Sequence, residues 1–132
     1  GWRPDVYALM AAATAVILPT HTEGFPRAVT EALLLEKPIV ATPVGGVVDV
    51  VRDGETGLLV PVEDDAALAD RLLALDDRPE WAARLARQGA AFVEREFAPA
   101  VHLRRVRDAF TACRAAWCGP PAAAAASGGG VP

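Results

Sequence analysis

The residues best suited to chemistry lie in one stretch, Thr20 to Glu31, which reads T-H-T-E-G-F-P-R-A-V-T-E. It holds two carboxylates (Glu23 and Glu31), an imidazole (His21) and a guanidinium (Arg27). An apolar run, Ala15 to Leu18, precedes it and is stopped by Pro19; an amphipathic segment begins near Pro26. The pattern predicts strand, short loop, helix. Such a unit aims the loop, and Glu31 in the helix's second turn, at the crevice beyond the strand's C-terminal end, where open α/β sheets bind ligands. The first amides of a helix have no partner inside it and lie at the positive end of its dipole, so an anion such as phosphate suits the position. Pro26 is compatible with the first helical position, where an N–H would go unpaired in any case.

The elements around this stretch follow from periodicity and punctuation. Asp5 to Ala13 is Ala-rich and predicts a helix with Asp5 as cap or first-turn acid. Ala15–Leu18 and Ile39–Ala41 are apolar without alternation, as strands buried on both faces of a parallel sheet are. Pro26–Glu36 reads as the helix between them, ended by Pro38. Val44-Gly45-Gly46 is a turn, and Val47–Val51 a short helix in which Asp49 is a capping or surface acid. Arg52–Gly57 (R-D-G-E-T-G) is a tight turn whose glycines are expected to supply φ > 0. Leu58–Val60 is a third strand. Asp65–Asp76 carries a Leu68, Leu72, Leu75 stripe behind a cap at Asp64 or Asp65. Pro79 opens a helix with Trp81, Leu85 and Phe92 on one face, broken near Phe97 and Pro99. A last helix over 100–117 sets Leu103, Val106, Phe110, Cys113 and Trp117 on one stripe, and both aromatic stripes read as core. Strands alternating with helices give right-handed βαβ units and a parallel sheet. The expected class is therefore α/β: a partial doubly wound, Rossmann-like sheet of about three strands with flanking helices. One domain is expected over 1–118. The low-complexity segment 119–132 has nothing to bury and is expected to be disordered. An uncovered apolar strand at Ala15 would be a liability, so further strands are expected before Gly1, making this the second half of such a domain.

Composition narrows the function. The net charge is −4, with 52% hydrophobic and 23% charged residues, the balance of a globular chain rather than a nucleic-acid binder. No run approaches the ~18 apolar residues of a membrane span, and G-W-R-P-D-V is no signal peptide. Cys113 and Cys118 fit neither a disulfide framework nor metal-ligand spacing. Reduced cysteines and a cytoplasmic location are the expectation.

Seven residues separate Glu23 from Glu31, but Glu55 and Glu63 share that spacing, so context has to distinguish the pairs. The run P-T-H-T-E-G-F-P-R-A-V-T-E-A-L-L-L-E-K-P-I-V-A-T-P-V-G-G-V-V-D-V-V-R-D-G-E-T-G-L-L-V-P supplies it. With its E-G-F, second Glu, K-P-I-V-A-T, Gly-Gly turn and D-G-E-T-G-L-L-V in order, it resembles the C-terminal, nucleotide-sugar-binding domain of retaining GT-B glycosyltransferases of family 4 (group 1). The resemblance covers about Asp5 to Phe110. It implies that Glu23, as the catalytic-site acid, lies with Gly24, Phe25 and His21 by the donor sugar. It further implies that Arg27, Ala28 and Val29 meet the diphosphate and that Glu31 grips the nucleotide's ribose. The implied reaction moves a sugar from a UDP- or GDP-sugar to an acceptor hydroxyl with retention, without a metal or other cofactor. The acceptor domain would precede Gly1, so this chain alone is expected to be inactive, and peripheral membrane contact of the parent protein stays open. Pro26 and Arg27 depart from the small and apolar residues usual there, and Arg27 could equally pair with Glu31 one turn on. Glu36-Lys37 replaces a small residue and Gly. Two other readings are a non-catalytic nucleotide-binding fragment and a GT-B sugar-nucleotide epimerase.

Overall fold

The structure, a computed structural model, describes residues 1–118; the 119–132 segment lies outside the described residues. These fall into two compact units, Gly1–Phe97 and a second beginning at Ala98. The boundary falls where Phe97 and Pro99 interrupt the helical pattern.

In the first unit the central strand is β2 (Ile39–Ala41), flanked by β1 (Val16–Leu18) and β3 (Leu58–Leu59) in the order β1-β2-β3. Both pairings are parallel, with Ile17 opposite Val40 and Ala41 opposite Leu59. Side chains alternate across a strand, so β2 feeds two cores. Ile39 and Ala41 face α2 (Arg27–Leu34) and α3 (Val47–Val50), packing with Val29, Leu33, Val47, Val50 and Phe92. Val40 faces the opposite core with Leu58, Val60, Leu75 and Leu85, contributed in part by α4 (Asp65–Asp77) and α5 (Pro79–Phe97). Helices on both faces of a parallel sheet are the doubly wound arrangement expected, and all three β2 residues are buried. β1 differs from expectation. Ile17 is 45% exposed, because the cover over Val40 does not extend to its neighbour on the same face.

α1 (Val6–Ala12) has no buried residue. Asp5 holds its N-cap position without capping it, since Arg3 takes the carboxylate through Nε at 2.9 Å and Nη2 at 2.7 Å. That guanidinium holds the Asp5 carboxyl below its usual range. Asp64, by contrast, caps α4 by accepting from the Ala67 N–H at 2.8 Å. In the 52–57 turn only Gly54 has positive φ, at 75°. Gly57 serves a different end from the one expected: a Cβ there would lie 2.9 Å from Val51 Cγ1. α5 crosses α2 at Gly89, where a Cβ would meet Leu33 Cδ2 at 2.5 Å and the Thr56 carbonyl oxygen at 2.7 Å.

The second unit contributes α6 (Pro99–Cys118). Its Leu103, Phe110 and Trp117 are exposed, at 67%, 73% and 94%. The expectation that this stripe is core is corrected: these three residues lie at the surface. Trp81 and Phe92 in the first unit do pack into its two cores.

The end of α2 carries strain. Glu36 has φ 52°, and its N–H donates to Leu33 O at 2.8 Å while Lys37 N–H donates to Ala32 O at 3.0 Å. This is the Schellman closure, with a glutamate in the left-handed position glycine usually takes. It also ends the helix at Leu34, two residues before Glu36. Left-handed backbone costs a non-glycine residue ~1–2 kcal/mol, and glycine's added unfolded-state freedom returns ~0.4–1 kcal/mol of that. Glu36→Gly is therefore expected to stabilise the chain by about 0.5–1 kcal/mol in urea unfolding, with an unchanged denaturant slope.

Candidate functional site

Beyond the C-terminal ends of β1 and β2, two loops are tied together. Thr42, 2% exposed, follows β2. Its hydroxyl accepts from the Thr20 N–H at 3.1 Å and donates to the Thr20 carbonyl at 2.5 Å. The first loop then folds on itself, Thr20 Oγ1 donating to Thr22 O at 2.9 Å. Further along, the Gly46 N–H donates to Gly24 O at 2.9 Å. The Gly45-Gly46 turn lies so close that a Cβ on Gly45 would sit 1.7 Å from the Glu23 carbonyl oxygen, and one on Gly46 2.5 Å from that of Gly24. The Glu23 carboxylate accepts from the Gly24 N–H at 3.0 Å.

The second cluster is at the start of α2. Pro26 is its N-cap residue rather than its first helical one, and has no side-chain donor or acceptor to offer. The Val29 N–H donates to Pro26 O at 3.1 Å, and Val29 is 1% exposed. Gly24 O accepts from Gly46 and Phe25 O from Arg27, and neither bonds the Ala28 N–H, which as the second helical residue has no acceptor inside α2. Of the two amides implicated by resemblance, Ala28 is thus the one left without a backbone acceptor. Glu31 lies one turn on. Its Oε1 accepts from Arg27 Nη2 at 3.3 Å and from Tyr7 Oη at 3.3 Å. The Glu31 side chain is 25% exposed and that of Arg27 81%, so the carboxylate sits partly under cover while the guanidinium stands in solvent.

Phe25 and His21 diverge from these clusters. The Phe25 ring packs against Phe97 at 5.7 Å between centroids, and Phe97 meets Phe92 edge-on at 6.1 Å. His21 lines a hollow of about 300 Å³ with Thr42, Pro61, Glu63 and Asp64, its Nδ1 3.8 Å from Glu63 Oε1. Neither Glu23 nor Glu31 is among the hollow's lining residues. Among the described residues, no three His, Cys, Asp or Glu side chains group to hold a metal ion, and no helix is long and apolar enough to cross a membrane. Sequence reasoning missed Thr42 and Tyr7. Each acts on a residue more than twenty positions away, and neither spacing nor periodicity encodes such a contact.

The family model described as glycosyl transferases group 1 matches residues 1–77. The chain belongs to that family. A D-inositol 3-phosphate glycosyltransferase from Frankia alni is 47% identical over 75 residues, which are 57% of this chain and 18% of that protein. One from Nocardioides is 38% identical over 105 residues, 80% of this chain and 23% of that protein. The chain therefore spans about a fifth of the length of these curated relatives. Among solved structures, HepE of Anabaena in complex with UDP superposes with a TM-score of 0.78 at 27% identity, covering 85% of this chain and 31% of that one. The C-terminal domain of a glycosyl transferase group 1 protein, LpcC of Francisella tularensis, gives 0.68 at 25% identity over 74% of this chain and 51% of that one. The three-stranded parallel sheet with its helices is thus part of a GT-B fold.

The loop contact has a measurable consequence. Gly45 and Gly54 both have positive φ, at 51° and 75°, but nothing lies within 4 Å of a Cβ at Gly54. Gly54→Ala is expected to cost only backbone strain, ~1 kcal/mol. Gly45→Ala adds overlap with the Glu23 backbone, so it is expected to cost at least ~2 kcal/mol more. Paired urea melts of the two variants check the difference.

Proposed function

We propose that this chain forms the donor side of a glycosyltransferase that moves a sugar from a nucleoside diphosphate sugar to an acceptor hydroxyl. The carrying observation is the start of α2, where the Ala28 N–H lacks a backbone acceptor one turn from the held carboxylate of Glu31. An amide at a helix N-terminus meets an oxyanion; a carboxylate accepts from vicinal hydroxyls. Together these match a ribose diphosphate. The UDP named in the HepE complex gives the base its first candidate, with GDP the second.

In this reading Glu31 binds the ribose, and the Ala28 amide and the exposed Arg27 meet the diphosphate. Arg27 offers a charge-assisted contact in place of the donor Pro26 lacks. The Val29 amide would join only by giving up its bond to Pro26. As the glycosidic bond to the nucleotide lengthens, negative charge grows on the diphosphate, and groups already aimed there lower the barrier without a metal. Glu23 and the Gly24 and Phe25 amides border the sugar, the Gly24 amide joining only by releasing the Glu23 carboxylate and His21 only by leaving its hollow beside Glu63, and the transfer retains the anomeric configuration. The acceptor binds elsewhere in the parent protein, so the 132 residues by themselves hold a donor without turning it over.

Calorimetric titration of the 132-residue chain with UDP, GDP and ADP tests this. One nucleotide is expected to bind at micromolar level, and Glu31→Gln is expected to weaken it about tenfold or more, the loss of a hydrogen bond to a charged group. Binding of none of the three, or an unchanged affinity in Glu31→Gln, would refute the proposal.

A further inference from the structure

Tyr7 stands in the first turn of α1, a helix with no buried residue, and is itself 53% exposed. Packing explains little of a tyrosine so placed. Its hydroxyl nevertheless crosses 24 positions of sequence to reach Glu31 Oε1 at 3.3 Å. Arg27 Nη2 reaches the same oxygen from one turn upstream, also at 3.3 Å. An ionised carboxylate has about four acceptor sites on its two oxygens. Both donors fall on Oε1, so the acceptor sites of Oε2 remain for a ligand.

The two donors are not equivalent. Arg27 is 81% exposed along its side chain and is a cation, so a bound diphosphate competes with Glu31 for it. Tyr7 is neutral, so a bound diphosphate draws on it less strongly. When Arg27 turns to an anion, the tyrosine hydroxyl is the group still holding Oε1.

We propose that Tyr7 is a positioning residue that orients the Glu31 carboxylate toward a vicinal diol, and so sets how strongly the site prefers a ribose over a sugar lacking those hydroxyls. The inference rests on the ribose reading of Glu31 given above. A carboxylate held before the ligand arrives loses less freedom on binding, and that gain goes only to ligands that use it.

The test compares UDP with 2′,3′-dideoxyuridine diphosphate (or the guanosine pair, if GDP is the nucleotide bound) in the parent chain and in Tyr7→Phe. The variant keeps the half-exposed ring, and equal thermal midpoints would show that the fold is unchanged. The parent chain is expected to prefer the ribose ligand about tenfold or more, and Tyr7→Phe to lose about fivefold for it with no loss for the dideoxy ligand. Equal weakening of both ligands would mean that Tyr7 acts through packing and would overturn the proposal, as would an unchanged preference. If the parent chain itself fails to distinguish the two, Glu31 does not read the ribose, and the failure lies in that earlier assignment.

Discussion

The absence of a side chain at Gly45 is the constraint on which the site depends. The turn leaving β2 runs so close to the Glu23–Gly24 backbone that a single methyl group would overlap a carbonyl oxygen. That closeness lets Gly46 bond Gly24 O at 2.9 Å. One steric fact thus holds the acid-bearing loop against the turn that leaves β2. Thr42 makes the same junction from the other side, holding both backbone groups of Thr20 with one hydroxyl. A buried hydroxyl that both accepts and donates leaves no polar group of its own unsatisfied, so the tie is favourable where water is excluded.

The sheet beneath is small but fully used. β2 gives alternate residues to two cores, which is why three residues suffice to anchor helices on both sides. The tight approach of α5 at Gly89 brings Phe92 and Phe97 to the same end of the unit as Phe25. The Phe25 ring therefore contributes to packing. Elsewhere the helix ends show how the chain distributes strain. Glu36 accepts a left-handed conformation because two hydrogen bonds close the α2 terminus around it.

Much of this was legible because it is local. Short unalternating apolar runs identified β1 and β2, Leu spacing identified α4, and the Asp64-Asp65 pair before a helical run narrowed its cap to two residues, of which the structure uses Asp64. The resemblance singled out Glu23 and Glu31 on ordered motifs. What went unread was non-local or depended on cover. Ile17 looks like Val40 in sequence, and only the reach of the overlying helices exposes one and buries the other. The Phe110 and Trp117 stripe has the spacing of a core face, but spacing says nothing about whether a second layer exists.

The sequence by itself determined the alternation of short apolar strands with amphipathic helices, the breaks at Pro19, Pro38 and Pro61, and the order of the acid and glycine motifs. These are consequences of backbone preference and periodicity within a few residues. Tertiary structure alone decided which distant groups meet: Tyr7 on an oxygen of Glu31, Thr42 on Thr20, Gly45 against Glu23, and His21 turned toward Glu63 in a separate hollow. The physical reason is that hydrogen bonds and steric contacts act over a few ångströms of space, and only the packed sheet brings residues twenty or more positions apart within that range.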